Sequence, residues 1–475
     1  MYSDLALYID GKWLNGEGRK GEDVINPATG KVLAVLPHAS SADLDAALAA
    51  AEKGFAVWKA TSAYDRAKIM RKAADLVRER FDHISKVQTQ EQGKVYVESR
   101  AEVLTSADII DWYAEEGRRT YGRVIPGRQK GVRQMVLQEP VGVVAAFTPW
   151  NFPTLTPIRK IAGALAAGCS LIIKASEETP GGAVELVKCF ADAGLPAGVL
   201  NLVFGVPANV SEHLIPSKIV KKISFTGSIP VGKHLAGLAA KGMKRATMEL
   251  GGHSPVVVFA DADAEKAADT IAAFKYRNAG QVCISPTRFY VQEASYNKFV
   301  ARFTEYAKGL KMGDGLEKGI TLGPIANPRR LDAMESFVND AKDRGGKIVT
   351  GGSRQGNQGF FFQPTVITDV PDDSKIMTEE PFGPLAPIVS FKTFDEVVER
   401  ANSLQFGLAA YAFTSSDKTA AAIGDAIQSG MVGVNSVAVS TPETPFGGVK
   451  ESGYGSEGGI EGLQAYMNTK FISQG

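Results

Sequence analysis

Cysteine is scarce in this chain, with three in 475 residues, at positions 169, 189 and 283. Thiols so few and so spaced make neither a disulfide framework nor a CxxC metal site. Histidine is almost as rare. The five, at 38, 83, 213, 234 and 253, form no ligand-like pair, so no metal is expected. An excess of charge is missing too: 53 lysines and arginines against 52 acids leave a net +1, which removes the electrostatic ground for a nucleic-acid or anionic-membrane partner. Any anion site must be local. No run approaches the roughly 18 to 20 apolar residues of a membrane span. The opening "MYSDLALYIDGKW" has neither the basic nor the apolar region of a signal peptide, and a cytoplasmic location is expected. What is present is an ordinary globular composition, 44% hydrophobic and 22% charged, long enough for roughly two to four domains.

The patterning divides the chain. "LYIDGKWL" (7–14) alternates and breaks at Asp10-Gly11, a hairpin signal, and "NPATGK" (26–31) marks another turn. From Ser40 to about Gly122 apolar residues recur at helical spacing behind a serine cap, which predicts a layer of two or three long helices. Between 141 and 252 short apolar runs ("VGVVAAFTP", "CSLIIKAS", "VLNLVFG", "KKISFTGS") alternate with helix-length segments. That is the grammar of a doubly wound, mainly parallel α/β sheet. A second such series runs from "SPVVVFADAD" to about 450, so two α/β domains meet near 250. The tail "LQAYMNTKFISQG" reads as a leftover strand that docks on a neighbour or a partner subunit.

Several stretches at strand ends carry chemistry. "FTGSIPVGKH" (225–234) lies at a strand-to-helix junction, where free N–H groups favour a phosphate. Gly227, Gly232 and Lys233 match GxxxxGK, but His234 stands where a P-loop needs a magnesium-binding hydroxyl, and GxGxxG is absent. A shorter turn remains, in which Gly227 allows close approach and Ser228 bonds phosphate. "LIIKASEETP" places Lys174 and Glu177 at a carboxyl-terminal sheet edge. A carboxylate there accepts ribose hydroxyls and repels a 2′-phosphate, which favours NAD over NADP; the bland alternative is a solvated loop. "MELGGHS" puts Glu249 at the proposed domain boundary, a general base if burial raises its pKa, and otherwise one more surface acid. After one predicted helix the chain returns with "RNAGQVCISPTR", where Gly280, Gln281 and Ser285 leave room around Cys283 that inert core cysteines seldom have. "FTPWNFPTLTPIRK" holds Asn151 between bulky residues, as a fixed oxyanion donor would be held. "EEPFGP" and "PFGGVKESGYGSEGG" are dense in the special backbone geometry that lines sites.

Taken together and in this order, "PWNFP", "KASEETP", "FTGS", "MELGGHSP", "GQVCISPTR", "EEPFGP" and "PFGGVKESGYG" resemble the NAD(P)-dependent aldehyde dehydrogenase superfamily over nearly the whole chain. The resemblance implies an aldehyde dehydrogenase-like α/β fold. A Rossmann-like doubly wound cofactor domain would take 1–120 and 141–250, a catalytic domain 251–450, and a small oligomerisation β-extension 121–140 and 451–475, in a homodimer or homotetramer. Cys283 would attack the aldehyde, with the Asn151 amide and the Cys283 N–H holding the oxyanion. Hydride would leave for the nicotinamide, and Glu249 would activate the water that hydrolyses the thioester. Lys160 and Glu457 match positions that pass protons outward. Trp150, Lys174, Glu177, Gly205, Gly227, Ser228, Glu380 and Phe382 match cofactor positions, with NAD preferred and NADP possible. Ser456 departs from the family's frequent GRE triplet, which touches subunit contacts more than chemistry. Glu249 points to release of a free acid, since acylating semialdehyde dehydrogenases that use coenzyme A usually lack that base.

Arg159 and Arg277 resemble positions that bind the distal carboxylate in succinate semialdehyde and α-ketoglutarate semialdehyde dehydrogenases, and Ser440 or Thr441 would complete that pocket; the alternative for both arginines is a structural ion pair. "TLTPIR" lacks the amides expected to grip a 2-oxo group, so neutral and aromatic aldehydes stay open. Rival readings from other classes are a P-loop nucleotide hydrolase and a thiol hydrolase pairing Cys283 with His253.

Overall fold

A computed structural model describes residues 2–475. The chain opens with a hairpin of β1 (Leu7–Ile9) and β2 (Lys12–Leu14). Asp10 and Gly11 between them have φ of 51° and 75°, the left-handed pair that a two-residue hairpin turn requires. β3 (Gly21–Ile25) and β4 (Val32–Pro37) pair across the second turn. The helical layer then contains four helices, not two or three: α1 (Ser41–Ala60), α2 (Ala63–Glu79), α3 (Phe81–Gln92) and α4 (Tyr96–Glu116). Ser40 caps α1 reciprocally with Asp43, whose carboxylate takes the Ser40 N–H at 2.8 Å. The last break falls at Gly93, whose φ of 95° ends α3. A left-handed glycine can thus cut a periodic pattern without a change in composition.

β5 (Arg123–Pro126) and β6 (Arg133–Pro140) form a ribbon beyond this layer. The first alternating series follows as β7 (Val143–Phe147), α5 (Leu155–Ala167), β8 (Ser170–Lys174), α6 (Pro180–Asp192), β9 (Leu200–Val203), α7 (Pro207–Leu214), β10 (Val220–Gly227), α8 (Ile229–Lys241) and β11 (Arg245–Leu250). The second is β12 (Ser254–Val258), α9 (Ala264–Tyr276), β13 (Pro286–Gln292), α10 (Glu293–Gly309), α11 (Pro328–Asp343), β14 (Lys347–Thr350), β15 (Thr365–Thr368), α12 (Lys375–Thr378), β16 (Leu385–Phe391), α13 (Phe394–Asn402), β17 (Ala409–Phe413), α14 (Asp417–Ala426) and β18 (Met431–Val434). β19 (Gly453–Tyr454), α15 (Gly459–Gln464) and β20 (Met467–Gln474) end the chain. No helix among the described residues is long and apolar enough to cross a membrane.

These strands make an eight-stranded sheet in the order β19-β11-β10-β7-β8-β9-β1-β2, parallel from β11 to β9 and antiparallel at its edges. A seven-stranded sheet, β14-β15-β16-β13-β12-β17-β18, is parallel except at β14. In this sheet alternate residues face opposite layers: Val256, Val258, Phe289 and Val291 join one buried cluster, Val257 and Tyr290 another. Helices on both faces explain why its strands read as apolar runs. The tail strand docks on the chain's own ribbon, giving the antiparallel sheet β20-β6-β5. Within 451–475, β19 pairs with β11 of the first sheet, so this stretch is shared between two sheets.

α1 lies directly on the main chain leading into β9. A Cβ on Gly54 would stand 2.3 Å from the Gly198 carbonyl carbon, and one on Gly198 would stand 2.3 Å from the Ala50 oxygen. Helix propensity alone makes Gly54→Ala stabilising by about 0.5–1 kcal/mol. The contact with rigid backbone reverses the sign, and the variant is expected to lose about 1–3 kcal/mol, seen as a lower thermal midpoint. A raised midpoint would contradict this packing.

Candidate active site

The carboxyl ends of β7, β10 and β11 bring Trp150 and Asn151, Gly227 and Ser228, and Glu249 to one edge of the first sheet. The loop between α9 and β13 brings Cys283 from the second series to the same place. Cys283 stands where two cavities meet. One, of about 230 Å³, is lined by Trp150, Gly227, Ser228, Glu249, Glu380 and Phe382. The other, of about 480 Å³, is lined by Phe152, Arg159, Phe274, Arg277, Ser440 and Phe446. Cys283 lines both, as do Thr156, Thr226 and Phe446.

The nucleophile loop is built from unusual backbone. Asn278, Ala279 and Gly280 have φ of 50°, 52° and 74°, a left-handed run that is costly for non-glycine residues and persists where the surroundings fix it. A Cβ on Gly280 would lie 2.1 Å from the Gly383 oxygen, so that position needs glycine. Gln281 donates from Nε2 to the Asn278 carbonyl at 3.0 Å and accepts the Ala326 N–H at 2.9 Å. Its own carbonyl accepts from Asn151 Nδ2 at 3.1 Å. One proton of the Asn151 amide is thereby anchored on the loop that carries the sulfur, which leaves the other for an oxyanion.

Cys283 is half-buried. Burial pushes its thiol up to about 12, with Glu380 and then Glu249 adding to the effect and Arg159 opposing it. Glu249 is 2% exposed, and neither of its carboxylate oxygens has a hydrogen-bond partner among the described residues. Burial, and then the charge of Glu457, hold its pKa well above the usual carboxylate range, against the pull of Lys160 and Arg159. A carboxylate whose pKa is raised in this way takes up a proton more readily than a surface acid, as a general base must.

Lys160 and Glu457 form a buried ion pair at 2.5 Å, and the Ser224 hydroxyl bonds both, at 3.1 and 3.2 Å. Glu457 reaches Lys160 because the loop 445–459 folds on itself: the Phe446 and Glu457 main chains exchange bonds of 2.6 and 2.8 Å. Gly453 of the same loop pairs with Glu249 in the sheet.

On the cofactor side Trp150 and Phe382 meet edge to face at 5.4 Å. Glu380 accepts the Gly252 N–H at 3.3 Å, and burial raises its pKa to about 8. Ser228 is the residue before α8, lines the cavity and makes no capping bond to that helix. Lys174 and Glu177, an ion pair, and Gly205 lie outside this cavity, beyond β8 and β9. Because β10, β7, β8 and β9 are neighbours in this order, the residues from Ser228 to Gly205 span roughly 14 Å along one sheet edge. That is room for a dinucleotide laid across strand ends. Two features of the GxxxxGK match serve other ends: Gly232 packs under Leu250, and Lys233 pairs with Glu451 on the surface at 2.6 Å. His253, the base a thiol hydrolase would need, is buried with Nδ1 on the Thr287 hydroxyl at 2.7 Å, and burial lowers its pKa well below the usual value. It is not among the residues around Cys283 in either cavity.

On the other side Arg159, 4% exposed, donates to the Ser440 hydroxyl at 2.9 Å and lies 4.8 Å from the Phe446 ring, while its Nη1 has no partner. Arg277 lies 5.2 Å from the Phe152 ring and 5.8 Å from that of Phe274. Neither arginine has a carboxylate within ion-pair distance among the described residues, although Arg277 stands close enough to Glu98 to lower its pKa against the effect of burial. Thr441 does not join the pocket. It is exposed, in a local turn with Thr444 at 3.3 Å between hydroxyls, because the chain reverses immediately after Ser440. The aromatic rings of Phe152, Phe274 and Phe446, and Glu102 of α4, also line this cavity. Nothing but the helical spacing of Val97, Ala101 and Thr105, which share that wall, could have pointed to α4.

The chain matches the aldehyde dehydrogenase family over residues 13–472. It is 44% identical over 472 residues to 4-(hydroxymethyl)benzenesulfonate dehydrogenase of Comamonas testosteroni, covering 99% of this chain and 98% of that one. It is 40% identical over 475 residues to the NADP(+) succinate-semialdehyde dehydrogenase of Escherichia coli K12, covering 100% and 98%. The crystal structure of succinate-semialdehyde dehydrogenase from Burkholderia pseudomallei superposes with a TM-score of 0.97 at 40% identity, covering 99% and 98%.

Alkylation tests the electrostatics of the free protein. The thiolate is the reactive form, and its fraction rises about tenfold per pH unit below the pKa. With the thiol near 12, the rate of iodoacetamide labelling at Cys283 is expected to climb without a plateau from pH 7 to about 9.5. A plateau below pH 8 would contradict the burial effect.

Proposed function

Since the chain belongs to the aldehyde dehydrogenase family, we propose that it oxidises an aldehyde bearing a second, anionic group to the carboxylic acid, a semialdehyde such as succinate or α-ketoglutarate semialdehyde. The observation that carries this reading is the pair of guanidinium groups, Arg159 and Arg277, that face the cavity ending at Cys283 without a carboxylate partner. An anionic end of the substrate completes them. Each charge-assisted hydrogen bond contributes about 1.5–3 kcal/mol. A second reading, an aromatic aldehyde carrying an acid group, is supported by the phenyl rings of Phe152, Phe274 and Phe446 in the same cavity. It also fits the sulfonate in the name of the Comamonas relative.

The Cys283 thiol gives up its proton to solvent, Sγ attacks the aldehyde carbon, and the free proton of Asn151 Nδ2 and the Cys283 N–H hold the resulting oxyanion. One such donor contributes about 3–4 kcal/mol in a tetrahedral intermediate. Trp150, Gly227, Ser228, Glu380 and Phe382, with Lys174, Glu177 and Gly205 further along the sheet edge, would hold a nicotinamide dinucleotide, which would supply the hydride acceptor. Loss of hydride leaves a thioester on Cys283. Glu249 takes a proton from the water that attacks this carbon, the acid departs, and Sγ is freed. The Lys160–Glu457 pair passes the proton outward. The carboxylate of Glu177 favours NAD over NADP, while its ion pair with Lys174 offsets part of that charge and leaves NADP usable. The ribbon sheet β20-β6-β5, which exposes Val124 and Phe471, serves contacts between copies of the chain. A cytoplasmic location accords with that chemistry.

With NAD, kcat/KM for succinate semialdehyde is expected to exceed that for butanal, which lacks the carboxylate, by about 10- to 150-fold, and Arg277→Ala should erase most of the difference. Equal rates on the two aldehydes in wild type would refute the anion reading. Glu249→Gln is expected to show a fast burst of NADH followed by slow turnover, read by stopped flow. Equal slowing of both phases would remove the water-activating role.

A further inference from the structure

Beneath the oxyanion donor lies a charge pair that no step of this reaction uses. Lys94 and Glu102 are 2% and 5% exposed, and their charged ends meet at 2.5 Å. Lys94 Nζ also donates to the Asn151 carbonyl at 2.8 Å, and Asn278 Nδ2 donates to the same oxygen at 3.0 Å. The second oxygen of Glu102 accepts the Thr154 N–H and hydroxyl, both at 3.0 Å, and the Leu155 N–H at 3.1 Å. These are opening N–H groups of α5, for which Thr154 provides no side-chain cap. Gln88 closes the network, donating to Glu102 at 2.5 Å and accepting the Thr154 hydroxyl at 3.0 Å. The segment from Asn151 to Leu155 is therefore gripped at both ends by one ion pair. One turn earlier on α4, Glu98 accepts the Asn278 N–H at 2.9 Å, so the same helix also holds the loop that carries Cys283.

A buried ion pair is a poor source of stability, because packed hydrophobic residues do as well or better in its place. What it imposes here is orientation. With the Asn151 carbonyl fixed by two donors and its side chain tied to Gln281, the amide has one direction left. We infer that Lys94 and Glu102 are positioning residues, which aim the Asn151 side-chain amide at the oxyanion that forms beside Cys283. The inference rests on the reading of Asn151 as oxyanion donor. A misplacement of about 1 Å in such a group lowers rates by about 100-fold.

A double-mutant cycle of Lys94→Met and Asn151→Ala tests this, read as the pre-steady-state rate of NADH formation with saturating aldehyde and NAD. Lys94→Met is expected to slow that rate by about 10- to 100-fold while KM moves much less, and to add less than about twofold once Asn151 is already alanine. Iodoacetamide labelling of Cys283 should stay within about twofold of wild type, which shows that the nucleophile loop is intact. The charge-neutral double variant Lys94→Met/Glu102→Gln, which leaves no lone buried charge, is read in the same way if the single variant does not fold. Equal slowing in both backgrounds, or no slowing with Asn151 present, would overturn the inference. If Asn151→Ala alone leaves the rate unchanged, the oxyanion assignment itself fails, and the inference with it.

Discussion

The hydrogen bond from the Asn151 amide to the Gln281 carbonyl, 3.1 Å long, ties the carboxyl end of a strand in one sheet to a loop that belongs to the other. The arrangement around Cys283 depends on it. Parallel strands present their free ends on one edge, and two such sheets placed edge to edge make a cleft whose walls come from different parts of the chain. Asn151 and Glu249 arrive from the first sheet and Cys283 from the second series. A left-handed run at 278–280 turns the sulfur into the gap, and Gly280 alone permits it to pass so close to Gly383. The local backbone strain is held by Asn278 and Gln281, whose side chains bond inside the same loop.

Burial sets the chemistry of that cleft. Burial raises the thiol of Cys283 and the carboxyls of Glu249 and Glu380 together, since all three lose hydration in their charged forms. The charges of Glu380 and Glu249 favour the neutral thiol further, and the charges that oppose the rise at Glu249 and Cys283, Lys160 and Arg159, stand on one helix, α5. A site so poised gains from anything that brings positive charge or an electrophile into it. Arg159 and Arg277 add positive charge to the wall of the second cavity, opposite in sign to the groups that crowd Cys283.

Much of this was legible in the residues, for physical reasons that differ from place to place. Cys283, Glu249 and Asn151 end apolar runs or sit among small and rigid residues, so each announces a strand end or a shaped loop. The hairpin at Asp10-Gly11 was legible because few residue pairs fit that turn. The contact of Lys160 with Glu457 has no local signature, since a folded-back loop brings it about across nearly 300 positions; only the resemblance to a family supplied it. Glu102 has no signal of its own in the sequence, because α4 is buried on several sides and shows little amphipathic contrast, and Lys94 lies just before that helix. The sequence leaves Ser440 and Thr441 as alternatives for the pocket because a loop has no period to say which of two neighbours faces inward. α7, with eight residues opening at Pro207, and β16, with Pro387 in its middle, fall below the length and regularity that periodicity needs.

Cys283 Sγ is the atom on which the proposed chemistry depends, since it would carry the acyl group. The most direct measurement is the mass of its peptide after Glu249→Gln enzyme is mixed with succinate semialdehyde and NAD and quenched in acid within the first turnover. The expected result is the succinyl thioester on the Cys283 peptide, in an amount that matches the NADH formed. NADH formed in that turnover with Cys283 unmodified, or with the acyl group on another residue, would contradict it.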